Sequence, residues 1–190
     1  HVFGAGWFGV QARHGDTLGE YPLLMPMSTE QATVGGRETF GEPKKIAKIT
    51  SERDGDTIHN TVSRMGYTVA EIKGTIVGER DPEQNERIDF YFKLLPSPEG
   101  PGMLDGDPYL VESHKHTRER KAEIVDGEVI LGESPLDPVA DLPVRTLRSI
   151  TLCQRATVVE AHTVGTVPAA DVIPYVHQRY DDLSVLGKRD

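Results

Sequence analysis

Glu42-Pro43-Lys44-Lys45 is the stretch whose residue types could do covalent chemistry. Pro43 fixes its own φ and drives Glu42 toward an extended backbone, so the lysines enter a strand stiffly. Successive strand residues point to opposite faces, which predicts one lysine inside and one in water. A buried lysine is a chemical device, because loss of water disfavours the ammonium. Bringing an amine from a pKa of about 10.4 to about 7.5 takes about 4 kcal/mol and leaves a useful share neutral at pH 7. A neutral amine attacks a ketone, and the resulting imine is an electron sink. Glu42 lies two residues before Lys44 and so shares its face, where it either holds the ammonium or shuttles a proton.

The other chemistry-bearing residues are plainer. His114 and His116 put two imidazoles on one strand face, but no third ligand is evident, so no metal is expected. Gly35-Gly36 lacks the preceding strand and third glycine of a phosphate-binding loop, which argues against a nucleotide. No cofactor is expected. Cys153, Met25 and Met27 read first as core residues.

The elements that must position Lys44 are mostly strands. Ser28 at an N-cap, with Gln31 three residues on, predicts a short helix over 29–39 that ends near Gly41 and Pro43. A hairpin turns at Asp54-Gly55, and further strands are expected over 57–62, 67–77, 88–95 and 109–116. Residues 122–125 and 128–131 read as two strands joined at Asp126-Gly127. Residues 96–108 hold four prolines and three glycines, which makes a loop. A β-rich segment over 147–164 bends near Cys153. Residues 169–183 read as a helix with an apolar stripe of Val172, Ile173, Val176, Tyr180 and Leu183. The fold class is therefore α+β: an antiparallel β-barrel or strongly curved sheet with a few flanking helices.

At 190 residues the chain is one domain, and it opens at His1 on a strand already under way, so an N-terminal portion is expected to be missing. Its net charge of −9 argues against nucleic acid as a partner, and no apolar run approaches a membrane span. The lone cysteine excludes an internal disulfide framework and suggests a reducing, cytoplasmic setting.

Gly36-Arg37-Glu38, followed shortly by Pro43-Lys44-Lys45, resembles the signature of the acetoacetate decarboxylase family. Residues 21–30, Met65-Gly66-Tyr67, Lys93-Leu94-Leu95-Pro96 and Asp141-Leu142-Pro143-Val144 follow in the family's order. The resemblance implies a Schiff-base lyase acting on a small keto acid, and a homo-oligomer. It makes Lys44 the imine-forming lysine and Lys45 the neighbour that influences it. Arg37 and Glu38 match the motif and are implied to position the loop, with a direct role at the substrate and a buried ion pair as the alternatives, and Met25 is implied in the apolar wall that desolvates Lys44. Two departures matter. Ala5 stands where decarboxylating members carry a catalytic glutamate, and Glu42 stands where an aromatic or apolar residue is usual. Decarboxylation of a β-keto acid is therefore weighed against carboxylate-sparing aldol and dehydration chemistry, and against a module that binds keto acids without turnover.

Overall fold

The computed structural model of the protein describes residues 2–100 and 102–181. In chain order the elements are β1 (Phe8–His14), β2 (Thr17–Met27), α1 (Glu30–Phe40), β3 (Lys44–Ile46), β4 (Lys48–Asp54), β5 (Thr57–Arg64), β6 (Tyr67–Arg80), β7 (Gln84–Lys93), β8 (Tyr109–Leu131), β9 (Ile150–Thr166), α2 (Ala169–Val172) and α3 (Val176–Tyr180). The strands form one nine-stranded sheet in the order β1-β2-β7-β8-β6-β5-β4, with β3 beside β2 and β9 beside β8. β8 organises it. One part pairs with β7, another with β6, and β9 runs antiparallel along most of its length.

The expected barrel is not closed among the described residues. β1 pairs only with β2, and β4 only with β5. β4 carries Lys48, Glu52, Arg53 and Asp54, and charges of this kind keep an edge strand in water. The sheet is also mixed rather than wholly antiparallel, because β2 runs parallel to β3 and β7. α1 is the crossover that parallel β2 and β3 require.

Four local expectations are corrected. Asp126-Gly127 is no turn: β8 runs straight through it, and Gly127 lies opposite Gly74 of β6. A β-carbon at Gly127 would come within 2.7 Å of the Gly74 Cα, so the glycine permits close strand approach. The helix expected over 169–183 is broken into α2, a 3-10 turn over Ile173–Tyr175 and α3. Pro174 lies in that turn, and proline offers no N–H to a continuous helix. Leu183, the end of the expected stripe, lies outside the described residues. The cap of α1 is Thr29, whose side chain accepts from the Ala32 N–H; the hydroxyl of Ser28 instead accepts from the Gly4 N–H at 2.7 Å. β9 runs unbroken through Cys153, where a bend is expected; the β8–β9 register slips instead on β8, where Arg120 is the extra residue between Glu119 and Lys121.

At that slip Glu119 is heavily bonded. Its carboxylate accepts from both Nη atoms of Arg80 at 2.8 and 3.0 Å, from the Glu83 N–H at 3.0 Å and from the Cys153 thiol at 3.1 Å. The Arg80 bonds above all, then the backbone and thiol donors, hold its pKa down from 4.5 to about 2. A depressed carboxylate stabilises the fold above its ordinary pKa, and the benefit disappears as pH falls through the folded value. Glu119→Gln should therefore melt below the wild type at pH 7. Melting curves between pH 4.5 and pH 2 should show the gap closing.

Candidate active site

Lys44 is built into position by three neighbours. Its backbone in β3 pairs with Met25 of β2, and the Met25 N–H donates to the Pro43 carbonyl at 3.1 Å. Arg37, in the last turn of α1, donates from Nη1 to the Lys44 carbonyl at 2.9 Å. α1 ends at Gly41, whose φ of 82° is open to glycine at little cost, and the chain turns directly into Glu42. The Glu42 and Lys44 side chains then meet, with Oε2 and Nζ 2.6 Å apart. The contact is close but lacks the alignment of a hydrogen bond.

Alternation along the strand holds, but the expectation of a wet partner does not. Lys44 and Lys45 leave opposite faces, yet their side chains are only 14% and 7% exposed. Lys45 donates to the Leu136 carbonyl at 3.2 Å, Asp137 at 2.8 Å and Asp181 at 2.7 Å. Arg64 binds the same two carboxylates. Two cations and two anions thus close a ring, and every Lys45 proton is used. The two lysines differ in kind: Lys45 is locked, whereas Lys44 meets one carboxylate.

Gly36 opens the sequence motif without a role of its own there, and the structure supplies one. It faces the Glu42–Lys44 pair from α1, and a β-carbon there would lie 2.5 Å from Lys44 Nζ and crowd Glu42 Oε2. Glycine inside a helix costs roughly 1 kcal/mol against alanine. Gly36→Ala should therefore leave the melting temperature close to wild type, because the displaced atoms end flexible side chains. Imine trapping at Lys44 should fall at least about tenfold, since a loss of 1.4 kcal/mol in positioning suffices for that.

Met25 is buried and packs with Met27, Tyr91 and Val111, with Trp7 and Phe40 against them. Met25 lies opposite Lys44 in the β2–β3 register, so this apolar cluster adjoins β3. Within it stands a polar line that the sequence did not reveal. The Tyr91 hydroxyl donates to Asp89 at 2.9 Å and accepts from Lys115 at 2.9 Å, and Asp89, fully buried, also meets Arg87 Nε at 2.9 Å. Burial, then the charges of Asp89 and Glu42, push the Tyr91 phenol well above its ordinary pKa. Glu42 therefore acts on this cluster as well as on Lys44.

Glu38 is not brought to the site; it is exposed on α1. Nor do Arg37 and Glu38 pair. Arg37 instead stacks over the Tyr180 ring at 4.7 Å and holds the Lys44 backbone. His114 and His116 each face a carboxylate, Glu112 and Glu86. Among the described residues no three His, Cys, Asp or Glu side chains converge as a metal site, and no helix is long and apolar enough to cross a membrane.

A largely buried amine with a carboxylate in contact is an arrangement that can add to a carbonyl. The family model described as acetoacetate decarboxylase matches residues 3–166, and the chain belongs to that family. Among solved structures, one described as a structural study of acetoacetate decarboxylase is 19% identical with a TM-score of 0.71, over 83% of this chain and 66% of that one. The acetoacetate decarboxylase of Legionella pneumophila is 18% identical with a TM-score of 0.71, over 87% of this chain and 66% of that one. The enduracididine biosynthesis enzyme MppR, complexed with the condensation product of pyruvate and imidazole 4-carboxaldehyde, is 13% identical with a TM-score of 0.61, over 88% of this chain and 66% of that one. The chain thus spans just under two thirds of the length of each. None of the curated proteins matches it significantly.

Proposed function

We propose that the protein is a lyase that decarboxylates a small β-keto acid through an imine on Lys44. The observation that supports this reading is the Lys44 amine, largely buried and in contact with the Glu42 carboxylate at 2.6 Å. Glu42 takes a proton from Lys44, and the freed amine adds to the keto carbon. Loss of water, with Glu42 returning a proton, gives the protonated imine. The carbon–carboxylate bond then breaks, carbon dioxide leaves, and its electron pair flows into the imine to make an enamine. A proton from solvent, relayed by Glu42, then goes to the enamine carbon, and addition of water releases the ketone and restores Lys44.

A second reading is favoured by one position. Ala5 bridges to Met27 and presents a methyl group where the family resemblance implies a carboxylate. Without that carboxylate, less repulsion is relieved as carbon dioxide departs. The same imine then suits addition to an aldehyde followed by dehydration, and the substrate's carboxylate is kept. Gas release from acetoacetate supports the first reading, and a new conjugated absorbance from pyruvate plus an aldehyde supports the second. Tight keto-acid binding with neither turnover nor borohydride trapping would reduce the protein to a binding module.

A further inference from the structure

On the face of the sheet opposite Tyr91 lies a cavity of about 380 Å³, between the strands and the C-terminal helices. Its walls are mostly apolar, with Phe92, Pro43, Val172 and Val176 among them, and Tyr21 and Arg179 contribute the polar groups. A concave, largely apolar site with a few polar groups is the usual form of a small-molecule site, and the volume falls within the usual range.

Arg179 says what such a molecule must carry. Its Nη atoms donate to the carbonyls of Phe92, at 2.9 Å, and Gly41, at 2.8 Å, both neutral acceptors. Its Nε is shielded from water and has no partner among the described residues. No carboxylate among the described residues forms an ion pair with it. The charged and ionisable groups that act on it are the phenols of Tyr180 and Tyr21 and the cation Arg37. Burial accordingly pushes its pKa down, and pushes that of Tyr21 up. Asp171 also lines the cavity but is exposed. A largely buried cation with no counter-charge among the described residues is costly, and an anion that brings its own apolar body would relieve both costs.

We propose that this cavity binds a small monocarboxylate with an apolar tail, its carboxylate at the Tyr21–Arg179 end and its tail along Phe92, Val172 and Val176. The site is separate from Lys44 and does not depend on imine chemistry there.

Titration calorimetry of the full chain with octanoate tests this, with 1-octanol as the uncharged control. Octanoate should bind at one site, and 1-octanol about 10- to 100-fold more weakly, the usual worth of a hydrogen bond to a charged group. Arg179→Met should weaken octanoate by a similar factor and leave 1-octanol unchanged. Val172→Trp fills the cavity without touching Arg179 and should abolish binding of both. Lys44→Ala should bind octanoate as the wild type does, so failure of the imine chemistry and failure of this site are told apart. Equal binding of octanoate and 1-octanol, no octanoate binding at all, or octanoate binding that survives Val172→Trp would each overturn the proposal.

Discussion

Borohydride reduction in the presence of a keto acid should add the ligand's mass to the peptide that carries Lys44. Lys44→Ala should lose that adduct, and with it turnover by roughly 10⁴-fold or more, because the nucleophile and the electron sink disappear together. Lys45 makes the informative control. It sits one residue away and is equally a primary amine, but Asp137, Asp181 and the Leu136 carbonyl hold its three protons. Lys45→Ala leaves those carboxylates with Arg64 alone, and breaking a buried ion pair costs about 3–5 kcal/mol. Its melting temperature should drop while labelling at Lys44 persists in the folded fraction. An adduct on the Lys44→Ala protein equal to that of the wild type would show that the amine has been misassigned.

That contrast marks how far the residues alone could be read. A two-residue period sends adjacent side chains to opposite faces, so the divergence of Lys44 and Lys45 is visible in the chain itself. That both are buried is not. The groups that bury Lys45 stand 92 and 136 positions further on, and only tertiary packing brings them in. Glu42 on the face of Lys44 follows from the same period, whereas Gly36 acquires its role only when α1 lies across β3. The Tyr91–Asp89–Lys115 line likewise depends on the register of β7 against β8, which pairs Tyr91 with Val111 and Arg87 with Lys115.

The same distinction runs through the fold. Asp54-Gly55 marks its hairpin correctly because the turn is local, and Gly55 has the positive φ that such turns need. Asp126-Gly127 carries an identical dipeptide and sits mid-strand, since Gly74 across the ladder decides the matter. Closure of the sheet is a property of its two outer edges, and no run of alternating residues states whether two edges will meet. Pro174, by contrast, stands in plain view inside the apolar stripe, and the helix expected over 169–183 overlooks it: a proline beyond the first turn interrupts a helix.

Substrate choice should turn on Glu42 and Ala5. With acetoacetate the wild type should release carbon dioxide, and Glu42→Gln should slow it by about 10²–10⁴-fold, the usual worth of a positioned acid–base group. The amide keeps the shape of the carboxylate but neither takes a proton from Lys44 nor returns one to the enamine carbon. Ala5→Glu should act the other way. Ala5 is exposed and bridged to Met27, so a longer side chain is accommodated there, and on the placement that the family resemblance implies its carboxylate would add repulsion that departure of carbon dioxide relieves. Gas release should rise in that variant, and any product formed from pyruvate plus an aldehyde should fall. If acetoacetate is inert until Ala5→Glu restores gas release, while the wild type gives the conjugated absorbance from pyruvate and an aldehyde, the natural reaction spares the carboxylate. If decarboxylation survives Glu42→Gln unchanged, Glu42 is no part of the mechanism and its contact with Lys44 serves the fold alone. The two substitutions separate the questions because they act at different moments: Glu42 when protons move to and from Lys44 and the enamine, Ala5 only when the carboxylate leaves.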